Sequence, residues 1–181
     1  MYLLDTSVVS DIVNPNSPWH TAAMKAMPPN ADQVQICTVT FGEMSFGREI
    51  LYLRNPPPAQ QRLDEADAFV AALEKFAKPL PITNHIAREY AQLRAAYASG
   101  LAPNRLSSWV KSKPVELWQQ QVPPSMLKIT ENDLWIAAVA VTHDLILMTR
   151  DKDFDEVKKH YASLKLYRIQ AYVLRPIDGQ V

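Results

Sequence analysis

The sequence predicts an α/β domain with a central, mainly parallel sheet, and three observations lead to this fold class. Short apolar runs alternate with longer segments in which apolar residues recur at helical spacing. The short runs are continuously apolar, which is typical of strands that are buried on both faces of a parallel sheet. Polar clusters follow directly on these runs, where open α/β sheets bind their ligands.

Four segments are predicted to be strands, and the first is Tyr2–Leu4, which runs straight into an aspartate, a threonine and a serine. The other three are residues 34–37, 145–149 and, with interruptions, 166–174. Residues 80–83 are a candidate for a short fifth strand, because prolines bracket them.

Helices are predicted between these strands from apolar residues that fall on one face. They cover residues 7–13, 22–27, 41–53, 63–76, 84–99 and 134–141, and a further helix begins near Phe154. The helix at 134–141 is apolar nearly all round, as expected of a helix that is buried against a sheet.

The chain has 181 residues, which predicts a single domain over residues 1–181. Its 19 basic and 19 acidic residues give a formal net charge of zero. The chain therefore lacks the overall positive charge that would indicate nucleic-acid binding. The single Cys37 excludes an intrachain disulfide and fits a reducing cytosol. We see no signal-peptide pattern and no apolar stretch long enough to span a bilayer, so we expect a cytoplasmic protein without membrane contact.

The segment at about 101–128 differs from the rest of the chain. It contains four prolines and two tryptophans, and its charges are four basic residues against one acidic residue. Tryptophans usually need burial, so the segment is predicted to be an ordered excursion, with one short helix at 115–121, rather than a flexible linker.

Acidic residues recur at the edges of the predicted strands and helices. They are Asp5, Glu43, Asp133, Asp151 and Asp153. Each also has an ordinary structural interpretation. Asp5 fits the N-cap of the first helix, and Asp151 or Asp153 fits the cap of the last helix. Thr40-x-x-Glu43 and Thr130-x-x-Asp133 have the spacing of capping boxes.

The functional interpretation considers these acids together. Carboxylates at the strand ends and helix starts of one sheet can converge on one pocket, where they repel each other unless a cation lies among them. Hard oxygen ligands suit Mg²⁺ or Mn²⁺, and two such ions about 4 Å apart would clamp a phosphodiester during hydrolysis. The four histidines are scattered, so no zinc-ligand spacing is present.

Four segments of this chain resemble the PIN-domain family and, within it, the VapC-like toxins of toxin–antitoxin pairs. They are Leu-Asp-Thr-Ser-Val-Val-Ser at 4–10, Thr-Phe-Gly-Glu-Met-Ser-Phe-Gly at 40–47, Glu-Asn-Asp-Leu-Trp-Ile-Ala-Ala at 131–138 and Leu-Met-Thr-Arg-Asp-Lys-Asp-Phe at 147–154. Their order and context match the family over most of residues 1–160.

The resemblance implies a three-layer α/β/α fold and a Mg²⁺- or Mn²⁺-dependent endoribonuclease that is homodimeric and inhibited by a cognate VapB-like antitoxin. By position, it implies that Asp5, Glu43 and Asp133 are the three core catalytic and metal-binding acids. Asp151 matches the fourth acid, with Asp153 in reserve. Three residues, Thr6, Ser7 and Thr149, carry hydroxyl groups that could orient a carboxylate or a metal-bound water.

RNA contacts are predicted from side-chain chemistry. Candidate phosphate contacts are Arg150, Arg105, Lys111 and Lys113, and Trp109 could stack on an unpaired base. A solvated surface for the lysines and simple burial for the tryptophan are the structural alternatives. An antitoxin groove is expected near Ile12, Val13, Met44, Phe46 and Ile50, which could equally be core residues.

Three other functions compete with the nuclease. A haloacid-dehalogenase-like phosphatase with Asp5 as nucleophile needs an aspartate at position 7, where this chain has Ser7. A receiver-like module normally places a lysine where this chain has Thr149, Arg150 and Asp151. The third is a PIN-fold scaffold that binds RNA or protein without catalysis, which the presence of all four acids disfavours.

Overall fold

The sheet has four parallel strands in the order β2-β1-β3-β4, in a computed structural model that describes residues 1–76, 78–101, 103 and 127–170. The strands are β1 (Tyr2–Leu4), β2 (Val34–Gln35), β3 (Ile146–Thr149) and β4 (Lys165–Arg168). In register, Tyr2 lies opposite Val34 on one side and Ile146 on the other. The predicted mainly parallel sheet is therefore confirmed.

The α-helices that the structure describes lie at the predicted positions. They are α1 (Thr6–Val13), α2 (His20–Ala26), α3 (Thr38–Tyr52), α4 (Gln60–Phe76), α5 (Asn84–Leu101), α6 (Glu131–Thr142) and α7 (Asp153–His160). Three helices, α3, α4 and α6, begin three residues before their predicted starts. Their first turns are rich in polar residues, which the apolar pattern does not detect.

Alternate residues of the central strands enter two separate cores. Leu3 and Leu147 are fully buried among residues of α5, α6 and α7. Leu4 and Met148 point the other way, into a cluster that contains residues of α1 and α2. Helices thus cover both faces of the sheet and make the three α/β/α layers, with the carboxyl ends of β1 and β3 side by side at one edge.

Two local predictions were wrong. The predicted capping box at Thr40 does not form, because α3 already begins at Thr38 with Cys37 as its N-cap. Thr40 is instead buried inside the helix, where its hydroxyl donates to the Leu4 carbonyl at 3.4 Å. The candidate fifth strand is reduced to one isolated parallel bridge between Cys37 and Leu80.

Some predictions fall on parts of the chain that are not described. The short helix at 115–121, most of the excursion at 101–128 and the end of the strand predicted at 166–174 lie outside the described residues. Within the described ranges, every helix is too short or too polar to cross a lipid bilayer.

Candidate active site

Asp5 lies directly at the carboxyl end of β1, where its backbone N–H donates to the Met148 carbonyl of β3 at 3.0 Å. It occupies the N-cap position of α1, but its side chain makes no capping hydrogen bond. The carboxylate instead accepts hydrogen bonds at Oδ2 from Ser7 Oγ at 2.6 Å and Thr149 Oγ1 at 2.8 Å. The side chain is therefore directed to the sheet edge, and a simple cap does not explain its orientation.

The environment of Asp5 opposes its negative charge. Only 3 % of the residue is exposed, and this burial raises the pKa of its carboxyl above the ordinary value. Hydrogen bonds from Ser7 and Thr149 work in the opposite direction, and the charge of Asp151 raises the pKa further. A buried carboxylate beside a second acid is favourable in its charged form only when a cation is close by.

Glu43 reaches the same edge from the second turn of α3. Thr6 Oγ1 donates to Glu43 Oε2, and Asn132 Nδ2 donates to Glu43 Oε1 at 2.8 Å. One carboxylate therefore connects the starts of α1 and α6. Thr6, one of the hydroxyl residues predicted to orient a carboxylate or a metal-bound water, thus contacts the Glu43 carboxylate.

Asp133 lies in the first turn of α6 and forms the predicted capping box with Thr130. Its Oδ2 accepts from the Thr130 backbone N–H at 3.1 Å and from Thr130 Oγ1 at 2.6 Å. Burial, followed by the charges of Asp5 and Glu43, raises the pKa of Asp133 from 3.8 to about 6, although the Thr130 hydrogen bonds oppose this. The capping interpretation and the nearness of Asp133 to the other acids are both correct.

Asp151 and Asp153 follow β3 and lie close to Asp133. The Asp151 N–H donates to Thr149 Oγ1 at 3.0 Å, and the Asp153 N–H donates to Asp151 Oδ1 at 2.9 Å. Asp133, Asp151 and Asp153 all line one cavity of about 410 Å³. Asp151 therefore accepts from the first residue of α7, although the N-cap of that helix is Lys152 rather than the predicted Asp151 or Asp153. It also borders the acidic cavity, and its charge acts on Asp5.

The donor set at this edge consists of carboxylate oxygens and hydroxyl groups, which is the ligand chemistry that Mg²⁺ and Mn²⁺ prefer. Asp151 lies close enough to raise the pKa of Asp5, and the charges of Asp5 and Glu43 raise the pKa of Asp133. In the side-chain orientations of the described residues, no three histidine, cysteine or acidic groups converge as ligands of a single ion. Binding of one ion by three of these acids would thus require some of their side chains to reorient.

The predicted RNA contacts are only partly described. Arg105, Trp109, Lys111 and Lys113 lie outside the described residues. Arg150 is described, and its Nε donates to Asp11 Oδ2 at 2.8 Å.

The residues predicted for an antitoxin groove separate into different environments. Val13 and Met44 line an open groove of about 860 Å³ between α1, α3 and α4. Phe46, which is 65 % exposed, lines a second groove of about 770 Å³ together with Glu43 and Trp135. Ile12 is partly buried and packs against the core cluster that contains Leu4 and Met148, whereas Ile50 is exposed.

Two residues that contact the site were not predicted from the sequence. Asn132 holds Glu43 from the start of α6, and Asp11 holds Arg150 from α1. The place of Asn132 directly before Asp133, at the start of an apolar helix, could have indicated it. For the second pair, the corresponding indication is that Asp11 is the one acid within α1, half of whose residues are apolar.

Comparisons with solved structures find the same fold in toxin–antitoxin complexes. A FitAB complex bound to an IR36 DNA fragment is 20% identical, covering 93% of this chain and 94% of that chain with a TM-score of 0.64. DNA-bound VapBC from Salmonella typhimurium is 15% identical, covering 93% and 98% with a TM-score of 0.60. VapBC-5 from Mycobacterium tuberculosis is 22% identical, covering 92% and 97% with a TM-score of 0.53. These identities establish a shared fold alone.

A search of curated protein sequences gave no match. The PIN domain family profile, in contrast, matches residues 2–160, which span β1 through α7 and contain all the acids of the sheet edge. Because this match covers most of the 181 residues, the chain belongs to the PIN domain family.

Proposed function

We propose that this protein is a Mg²⁺-dependent endoribonuclease, for which Mn²⁺ can substitute, and that it is the toxin of a toxin–antitoxin pair. The observation that carries the proposal is the buried Asp5 carboxylate at the end of β1, with Asp151 close enough to raise its pKa. Such a group is poorly suited to a purely structural role. It is well suited to holding a divalent cation.

In this proposal the metal is held by Asp5, Glu43, Asp133 and Asp151, with Asp153 as the reserve ligand. When bound, the metal would make the attacking water more acidic and would stabilise the negative charge that develops on the phosphodiester. Ser7 and Thr149 fix the Asp5 carboxylate through their hydroxyl groups, and Asn132 fixes Glu43. These donors keep the acids oriented at the sheet edge while RNA binds.

The antitoxin is proposed to bind the open groove lined by Val13 and Met44. This groove also contains Glu43, so a bound segment would extend to the acidic edge. Arg48 and Glu65 give it polar borders around an apolar floor, which suits an amphipathic helix. The solved FitAB and VapBC complexes of the same fold support an antitoxin partner. A homodimer is proposed from the family resemblance.

The test is cleavage of a pool of structured RNAs by the purified protein with Mg²⁺, Mn²⁺ or chelator. Asp5→Asn and Asp133→Asn are the site variants, and Asp32→Asn, which removes an exposed acid outside the site, is the matched control. We expect metal-dependent cleavage by the wild type and Asp32→Asn, and its loss by at least ~100-fold in both site variants. Circular dichroism verifies that each variant is folded.

Cleavage that persists in chelator, or that survives Asp5→Asn, would contradict the assignment of the site. Absence of cleavage together with calorimetric absence of Mg²⁺ and Mn²⁺ binding would favour the PIN-fold scaffold without catalysis. Sequencing of the RNA ends from active lanes identifies the substrate. Sedimentation velocity of the same preparation tests the homodimer.

A further inference from the structure

Arg150 lies between two residues of the candidate site, because Thr149 bonds to Asp5 and Asp151 borders the acidic cavity. The sequence alone made it a candidate phosphate contact. In the structure its guanidinium Nε donates to Asp11 Oδ2 at 2.8 Å, and its Cζ lies 5.7 Å from the centre of the Trp19 ring. The side chain is thus held by α1 and by the residue before α2.

Asp11 is arranged to receive this cation. Its side chain is only 7 % exposed, and its Oδ1 accepts from Ser17 Oγ at 2.6 Å. The ring Nδ1 of His20 lies 3.0 Å from the Asp11 carbonyl oxygen. A buried carboxylate is stable as an anion only with a close positive partner, and Arg150 provides that partner.

Neighbouring residues at the end of β3 and directly after it therefore have different partners. Thr149 Oγ1 donates to Asp5 and also accepts from the Asp151 N–H at 3.0 Å, which directs this side to the acids. Arg150, between them, binds Asp11 instead. Arg150 is bonded directly to Asp151, so a side chain of Arg150 that is held by Asp11 restricts the backbone from which Asp151 is presented.

We propose that Arg150 is a positioning residue that, through its ion pair with Asp11, fixes the segment presenting Asp151 to the acidic site, and that it does not bind RNA. This inference rests on the proposed function, because it concerns the same metal site. It assigns a role to Asp11 as well, as the anchor of the pair on α1. Residues that orient metal ligands typically change metal affinity by about 10- to 100-fold when they are replaced.

A positioning pair and an RNA contact predict different results. If the pair acts as a unit, then Asp11→Asn and Arg150→Gln have the same effect, and the double variant is no worse than either. If Arg150 binds a phosphate, its replacement weakens RNA binding, whereas Asp11→Asn leaves RNA binding largely intact.

The experiment measures Mn²⁺ affinity by calorimetry and kcat and KM for RNA cleavage in Asp11→Asn, Arg150→Gln and the double variant. Lys152→Gln is the matched control, because it removes an exposed neighbouring cation that has no place in the site. We expect Mn²⁺ binding about 10- to 100-fold weaker in all three variants, with non-additive effects and unchanged KM. Arg150→Lys keeps a positive partner for Asp11 and should recover part of the affinity.

Three results would overturn the inference. One is wild-type Mn²⁺ affinity in Arg150→Gln, and another is a raised KM in Arg150→Gln that Asp11→Asn does not share. Arg150→Gln leaves the buried Asp11 carboxylate without its cation, whereas Asp11→Asn leaves only Arg150 unpaired, which is 39 % exposed. Asp11→Asn is therefore expected to fold even if Arg150→Gln does not, and wild-type Mn²⁺ affinity in Asp11→Asn would then overturn the inference alone. The third is absence of Mn²⁺ binding by the wild type, which would overturn the proposed function together with this inference.

Discussion

Replacement of Asp133 by asparagine should stabilise the metal-free protein at neutral pH while abolishing cleavage. The pKa of Asp133 is raised from 3.8 to about 6, chiefly by burial. At about 1.4 kcal/mol for each pKa unit, holding the ionised form in the fold costs about 3 kcal/mol at pH 7 and above. Asparagine has no charge to desolvate, and its amide oxygen can still accept from the Thr130 N–H.

The sign of the pH dependence follows from the raised pKa. At pH below 3.8 the carboxyl is neutral in both states and there is no penalty. As the pH rises from 3.8 to about 6, the unfolded chain ionises first and the folded state loses stability; above that range the loss is constant. Roughly 1 kcal/mol of the penalty has developed by pH 4.5, so the advantage of Asp133→Asn should grow by about 2 kcal/mol between pH 4.5 and 7.5. Loss of a negative charge in the first turn of α6 offsets about 0.3–1 kcal/mol at pH 7.5 alone, because the folded carboxyl is largely neutral at pH 4.5. The net growth of the advantage is therefore about 1–2 kcal/mol.

The assay is urea unfolding of wild type and Asp133→Asn in chelator at both pH values, followed by titration with Mg²⁺. The cation favours the ionised carboxyl, so Mg²⁺ should stabilise the wild type more than the variant. Asp144→Asn is the control of opposite sign, because Lys165 lowers the pKa of that exposed acid. An advantage for Asp133→Asn that is independent of pH, or a variant less stable than the wild type at pH 7.5, would refute the prediction.

Two glycines should respond oppositely to alanine, and one hydroxyl should affect the site alone. Gly47→Ala, where a Cβ meets no atom within 4 Å inside α3, should gain about 0.5–1 kcal/mol in urea unfolding, whereas Gly100→Ala, where a Cβ would come within 2.0 Å of the His160 ring, should lose about 1–3 kcal/mol. Equal shifts would contradict this assignment of the two environments. Thr149→Val removes a donor from Asp5 and should weaken Mn²⁺ affinity by about 10- to 100-fold with wild-type circular dichroism. Unchanged affinity would show that the hydroxyl does not position Asp5.

The candidate acids could be predicted from the sequence because the patterns of strands and helix caps involve only residues that are close along the chain. A continuous apolar run that ends in Asp5 indicates a buried strand and its carboxyl end, and β1 ends where it was predicted to end. The capping box of Thr130 and Asp133 was also predicted from spacing alone. The same spacing at Thr40 gave a wrong result, because α3 continues back to Thr38 and places Glu43 beyond the first turn.

The sequence by itself therefore determined the fold class and the ends of β1 and β3, and it indicated the candidate acids, since each depends on residues within one or two turns. The predicted second strand, at 34–37, ends earlier, at Gln35. Only the tertiary structure decided which groups hold these acids. Thr149 donates to Asp5 across 144 positions and Asn132 to Glu43 across 89, and Arg150 is paired with Asp11. These pairs depend on the strand order, which brings β3 beside β1, and no spacing along the chain encodes that neighbourhood.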